Sequence, residues 1–330
     1  MNWRPYILPG LVFQSVMIGG GYATGRELVA FFAPAGPLGG ILGILVAGAT
    51  FALIMGVAYE FARVTRVRDY RSFCRELLGP LWIIYELAYL ALVVLILAVI
   101  GAASGELTSS ALGWPASVGT VAMMVLVGLL TFLGSAVIAQ VMAFWSVLLY
   151  AAYVALFAQT FAAFGADIET ALAAEELRGD WALPGVRYAS YNIALPAVLF
   201  CMVFIQTRGQ ALGAGVMTGL IAIVPALLFF VALLAHYPAV LDEAVPALYL
   251  MARLDSPWLT VMFQVVVFGT FVETGTGLLH SINERIAVQA SESGRPLPRW
   301  ARPTIAAAFL VLSVYGATAF GIIDLIAQGY

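Results

Sequence analysis

Hydrophobic residues run through this chain in blocks of about twenty, the length an α-helix needs to cross the hydrocarbon of a bilayer. Blocks near residues 6–31, 38–62, 81–104, 117–133, 136–164, 185–206, 211–234, 257–287 and 304–321 predict nine spans. Pro34 and Pro37 mark a tight turn after the first block, and Gly134 with Ser135 another between the fourth and fifth. Three stretches between blocks read as surface helices: an amphipathic one at 69–78, an acidic, alanine-rich one at 166–178, and one at 245–254 with Pro246 at a helix-start position. The loop 288–301, with Gly294, Pro296 and Pro298, reads as the most flexible connection.

Two blocks break their own pattern. The first contains QSVMIGGGYATGRE over residues 14–27, which places Gly19, Gly20, Gly21 and Gly25 beside Thr24, Arg26 and Glu27. Glycine weakens a helix, and a charge in hydrocarbon costs several kcal/mol. The stretch therefore predicts a broken helix whose backbone faces a small-molecule or ion site at membrane depth. The alternative is a close-packing face, because Gly21 and Gly25 also form a GxxxG, although packing alone does not account for the adjacent charges. In the sixth block Tyr188, Ser190, Tyr191 and Asn192 precede Pro196, which predicts a kink or unwinding between about 190 and 196. An ordinary proline kink with interfacial tyrosines is the alternative. Blocks one and six open two successive sets of five, so a single transmembrane domain over 1–330 would hold repeats at 1–164 and 185–330 of opposite orientation.

The eighth block, VETGTGLLHSINER, carries Glu273 near its middle, with Thr274 adjacent and Thr276, His280 and Asn283 following at helical spacing. A carboxylate at that depth is a candidate proton acceptor or ligand for a hard cation; the bland reading is a glutamate held by structural hydrogen bonds. His280 has no second histidine or cysteine at ligand spacing. In the fifth block Ser146, Tyr150, Tyr153 and Phe157 share a face that either lines a cavity or packs.

Composition narrows the class. The 330 residues are 63% hydrophobic and 10% charged, which excludes a soluble domain and defines an all-α polytopic membrane protein. The first block shows no signal-peptide cleavage pattern. Two cysteines, Cys74 and Cys201, supply neither a disulfide framework nor a cysteine-rich metal site. All 15 cationic residues are arginine, which argues against Schiff-base chemistry and a P-loop. With a cytoplasmic amino terminus, Arg4, Arg63, Arg66, Arg68, Arg71, Arg75, Arg208, Arg285, Arg295, Arg299 and Arg302 fall inside, and only Arg178, Arg187 and Arg253 outside. No nucleic-acid partner is expected.

GGGYATGRELVAFF in the first block, SYNIALP in the sixth, the amphipathic helix after the second and the acidic eighth block together resemble the YkvI-type bacterial membrane proteins. These are a branch of the LeuT-fold amino acid, polyamine and organocation superfamily. The resemblance implies a multi-pass protein of the bacterial cytoplasmic membrane with a five-plus-five inverted repeat and discontinuous helices one and six. It implies a substrate loop over Gly19, Gly20, Gly21, Tyr22, Ala23, Thr24 and Gly25, with Tyr150, Ser190, Tyr191 and Asn192 completing the site. A sodium ion or a proton would act at Glu273, Thr274 and Thr276, near the carbonyls of Gly19 and Gly20, and Arg26 with Asp324 would form an external gate. The family pattern has ten helices, whereas IIDLIAQGY stands where the tenth should begin, so the chain is either shortened or lacks that member.

The function expected is sodium- or proton-coupled transport of a small amino acid or related amine or zwitterion. Free amides around Thr24 and Gly25 would hold a substrate carboxylate, and Glu273 would respond to the coupling ion. A second reading is a non-transporting small-ligand receptor of the same fold. A third is an enzyme with Glu27 and Glu273 as acid and base, which lacks an accompanying nucleophile, metal cluster or cofactor motif.

Overall fold

The computed structural model describes residues 3–67, 70–131, 135–193, 199–292, 298 and 300–329. Pro196, Gly134 and, within the loop 288–301, residues 293–297 and 299 lie outside the described residues. All regular elements among them are helical. The first block is delivered in three pieces, α1 (Arg4–Met17), α2 (Gly20–Thr24) and α3 (Arg26–Phe32), followed by a 3-10 turn and α4 (Gly36–Thr65). The amphipathic stretch is α5 (Tyr70–Leu78), after which come α6 (Trp82–Leu112), α7 (Ala116–Leu130) and α8 (Ser135–Ala173). The sixth block is α9 (Ala182–Tyr191) and a 3-10 segment, Leu199–Phe204. The chain continues through α10 (Arg208–Leu233), α11 (Pro246–Arg253), α12 (Pro257–Glu292) and α13 (Ala301–Gly329).

Six helices among the described residues are long and apolar enough to cross a bilayer, and they are the second, third, fifth, seventh, eighth and ninth predicted blocks. The other three fall short for local reasons. The first and sixth are interrupted, and α7 has 15 residues, about 22 Å of helix against a hydrocarbon core of about 30 Å. Two boundaries differ from expectation. The fifth block and the acidic stretch after it are one helix kinked at Phe164 (φ −124°, ψ 21°), so the separate surface helix predicted over 166–178 is α8's last turns, ending at Ala173. In α13 the chain turns at Gly321 (φ 69°), and residues 322–329 go on helically with Ile322, Leu325 and Ile326 buried.

The chain forms two compact units that interleave in sequence. The first comprises Met1–Ile18, Glu27–Tyr89 and Thr160–Asp242. Its helices α1, α4, α9 and α10 touch through small residues. A Cβ on Gly48 would lie 2.7 Å from Ile223 Cδ1, and one on Gly215 would strike the backbone of Gly56. Such contacts let backbones approach where lipid supplies no hydrophobic drive between helices. Gln14 donates from Nε2 to the Ile221 carbonyl at 3.1 Å, and Phe13 meets Phe51 edge-on at 5.1 Å.

The second unit comprises Gly19–Arg26, Leu90–Gln159 and Glu243–Tyr330. Here α7 packs on α12 and α13, and α2 on α11 and α12. Hydroxyls bind neighbouring helices: Thr120 donates to the Gly101 carbonyl at 2.8 Å and Ser313 to that of Val94 at 3.2 Å. The Trp145 indole lies against Gly269, where any Cβ would collide with it, and its N–H donates to the Val266 carbonyl at 2.7 Å.

Candidate functional site

The first helix stops where Ile18 leaves helical backbone (φ −76°, ψ 77°) and Gly19 becomes extended (φ −137°, ψ −177°). The last carbonyls of α1 thus lose the following turn that would satisfy them. Helix resumes for five residues and stops again at Gly25, whose φ of 81° would cost a side-chain-bearing residue about 1–2 kcal/mol. The glycine cluster therefore frames one turn of helix between two breaks. A continuous GxxxG face is ruled out, since Gly25 is not helical. Gly19, Gly21, Tyr22, Ala23, Thr24 and Gly25 are all buried.

The amides expected around Thr24 and Gly25 are not the free ones. Gly25 N–H donates to the Tyr22 carbonyl at 2.9 Å, and Arg26 N–H to Thr24 Oγ1 at 3.3 Å. Helix begins instead at Gly20, and the first bonds of the new turn run from Tyr22 and Ala23 to the Gly19 carbonyl (3.0 and 3.2 Å). The amides of Gly20 and Gly21 precede them, and it is there that the positive end of the turn lies.

Opposite this break, within the same unit, stands α12. A Cβ on Gly19 would lie 3.0 Å from both Cγ2 and Oγ1 of Thr274, so the absent side chain brings extended backbone against a threonine hydroxyl. Thr270 and Thr276 of the same helix donate to carbonyls four residues back, at 2.9 and 2.7 Å. Thr274 makes no such bond. The expected trio is thereby split: Thr274 faces the break, while Glu273 and Thr276 line a separate cavity of about 680 Å³ bordered by α6, α7, α12 and Trp145. Glu273 is only 8% exposed, and Tyr150 lies close enough to feel its charge.

The residues of the second interruption belong to the first unit. Asn192 ends α9 and donates from Nδ2 to the Tyr188 carbonyl at 3.1 Å, and Ser190 is exposed, its hydroxyl turned back to the Arg187 carbonyl at 2.7 Å. Tyr191 donates to Glu27 Oε2 at 2.8 Å, beside a cluster in which the Phe31, Tyr188 and Tyr191 rings are 5.5–5.6 Å apart. Glu27 is 4% exposed, and sequence reasoning had given it only an acid–base role. Its signal was visible in Phe31, four residues on, with tyrosines waiting in α9. Arg26 is buried and donates to the Glu243 carbonyl at 3.0 Å, whereas Asp324 is exposed beyond the Gly321 turn; the expected gate pair is not joined by an ion pair. Tyr153 and Phe157 stack at 5.6 Å and are buried, so that part of the fifth-block face packs. Outside the spans, burial and the hydrogen bond Tyr70 gives Glu86 (2.9 Å) push the Tyr70 phenol up, which fixes α5 to the start of α6 in its neutral form. No group of three metal-ligating side chains occurs among the described residues.

A multi-pass helical membrane protein with interruptions in its first and sixth hydrophobic blocks has the organisation of the LeuT-like fold, and solved structures match it. One, described as the substrate-bound, outward-open state of a Na+-coupled sialic acid symporter, aligns over 96% of this chain and 72% of its own with a TM-score of 0.64. The sequences are 14% identical there, so the likeness shows the fold alone. No model of a protein family matches the chain, and no curated protein matches it in sequence.

Proposed function

We propose that this chain is a sodium- or proton-coupled secondary transporter of a small amino acid or related amine or zwitterion, of the YkvI-type branch of the amino acid, polyamine and organocation superfamily. It would work by alternating access in a bacterial cytoplasmic membrane, amino terminus inside, through two inverted repeats at 1–164 and 185–330. The observation that carries the reading is Thr274, whose uncommitted hydroxyl meets extended backbone at Gly19 just past the terminal carbonyls of α1. Hydroxyl and carbonyl oxygens at a helix break suit a hard cation, and amides at the start of the next helical turn suit a carboxylate. Fold likeness to a symporter supports the same reading. In this scheme Thr274 and the backbone carbonyls at Gly19 and Gly20 hold the cation, the amides of Gly20 and Gly21 receive an anionic end of the substrate, and Glu273 carries a proton.

The test is a thermal-shift screen of amino acids and amines in sodium and in potassium at two pH values, followed by counterflow of each stabilising compound in proteoliposomes. A stabilising compound that also exchanges across the membrane is expected. Binding without counterflow would assign the fold to a receptor, and conversion of the compound to a new product would assign it to an enzyme.

A further inference from the structure

The short helix α5 is pinned to the end of one span and the start of the next. Tyr70, Phe73 and Cys74 recur at helical spacing and are buried. Phe73 meets Phe61 of α4 edge-on at 5.2 Å, and the Tyr70 hydroxyl donates to Glu86 of α6 at 2.9 Å. All of these residues belong to the first unit, so α5 is a fixed part of that unit's surface.

The outward side of this corner is apolar and cationic together. Leu77, Leu81, Ile83 and Ile84 are 53–65% exposed and open onto the lipid that surrounds α6. Arg75 is exposed two residues before Leu77, and Arg66, the left-handed C-cap of α4 (φ 59°), is exposed four residues before α5 begins. Neither guanidinium has an ion pair or hydrogen bond among the described residues, whereas Arg63 is spent on Glu60 through two bonds of 2.7 and 2.8 Å. Arg71, one turn before Arg75, lies over the Trp82 ring at 5.4 Å. An indole at the start of a span marks the membrane–water boundary, which places these arginines at headgroup depth with apolar surface next to them.

Guanidinium groups pair with phosphate oxygens, and exposed leucine and isoleucine at the same border suit acyl chains. A soluble acidic peptide would supply an anion but no chains. We propose that the α4–α5–α6 corner is a binding surface for anionic phospholipid, with Arg66 and Arg75 taking headgroup phosphates and acyl chains lying on Leu77, Leu81 and Ile84. A zwitterionic lipid brings the same phosphate and chains but carries its own cation, so the arginines select net negative charge. The surface needs no transport activity, so it stands or falls separately from the function proposed above.

The test is native mass spectrometry of the purified protein titrated with phosphatidylglycerol or phosphatidylcholine of identical acyl chains, read at the tightest site. Tighter binding of phosphatidylglycerol is expected. Each arginine near an anionic surface is worth about fivefold, so Arg66→Gln combined with Arg75→Gln should weaken phosphatidylglycerol binding by about tenfold or more and leave phosphatidylcholine unchanged. Arg187→Gln, at an exposed position on α9, should bind as the parent does. Equal binding of the two lipids by the parent, an unchanged phosphatidylglycerol preference in the double variant, or as large a loss in Arg187→Gln would overturn the proposal. Should the double variant fail to fold, Glu76→Gln, which removes the one carboxylate of α5, decides: tighter phosphatidylglycerol binding is expected, and unchanged binding would overturn the proposal.

Discussion

In the unit built from α1, α4, α9 and α10, missing side chains are filled by neighbouring helices: Gly215 abuts the Gly56 backbone, and Gly48 receives the Ile223 side chain. In the unit built from α6, α7, α12 and α13, Gly105 and Gly119 pack in the same way, against the Ala116 and Ser104 carbonyls, but other glycines serve other ends. Gly19 and Gly25 break a helix, Gly269 seats an indole, and α7 and α12 leave a cavity of about 680 Å³ between them. In the second unit that cavity is lined by the buried carboxylate of Glu273. Hydrophobicity places helices in a bilayer; the distribution of the smallest and the polar residues decides where a solute can enter.

That contrast makes graded predictions, each read as a melting shift of the purified protein. Gly215→Leu, driven into the Gly56 backbone, should cost the most, about 3 kcal/mol, and reduce the folded yield. Gly25→Val should cost about 1–2 kcal/mol through its left-handed backbone and abolish ligand-induced stabilisation. Tyr191→Phe removes a bond to a buried carboxylate and should cost about 1.5 kcal/mol, with Tyr191→His or other polar replacements not equivalent. Ala122→Phe, on the hollow side, should stay within about 0.5 kcal/mol of the parent. A Gly215→Leu protein no less stable than Ala122→Phe would erase the distinction between the close glycine contact at Gly56 and the cavity wall.

Much of this was legible in the sequence. The helical class, the break at the glycine cluster and the end of α9 at Tyr191 follow from block length, glycine and polar interruptions within apolar runs. The surface helices at 70–78 and 246–253 were also visible, from amphipathic pattern and from Pro246 at a helix start. Finer placement was not. The family resemblance put Glu273, Thr274 and Thr276 together, but adjacent residues differ by about 100° around the axis, and the contact with Gly19 shows that Thr274 looks away from the other two. The new turn begins at Gly20 and ends at Gly25, because glycine count does not say which glycine is extended and which left-handed. The kink at Phe164 is followed directly by Gly165, a glycine inside an apolar run that block length alone passes over.

The central claim is that the Gly19–Thr274 junction and Glu273 couple an ion to a solute. Its most direct test is gradient-driven accumulation, in proteoliposomes, of the compound that most stabilises the protein, comparing the parent with Thr274→Val and Glu273→Gln. The account predicts accumulation by the parent, with loss in Thr274→Val under a sodium gradient or in Glu273→Gln under a proton gradient, while exchange persists. Absence of flux in the parent, or full accumulation by both variants, would contradict it.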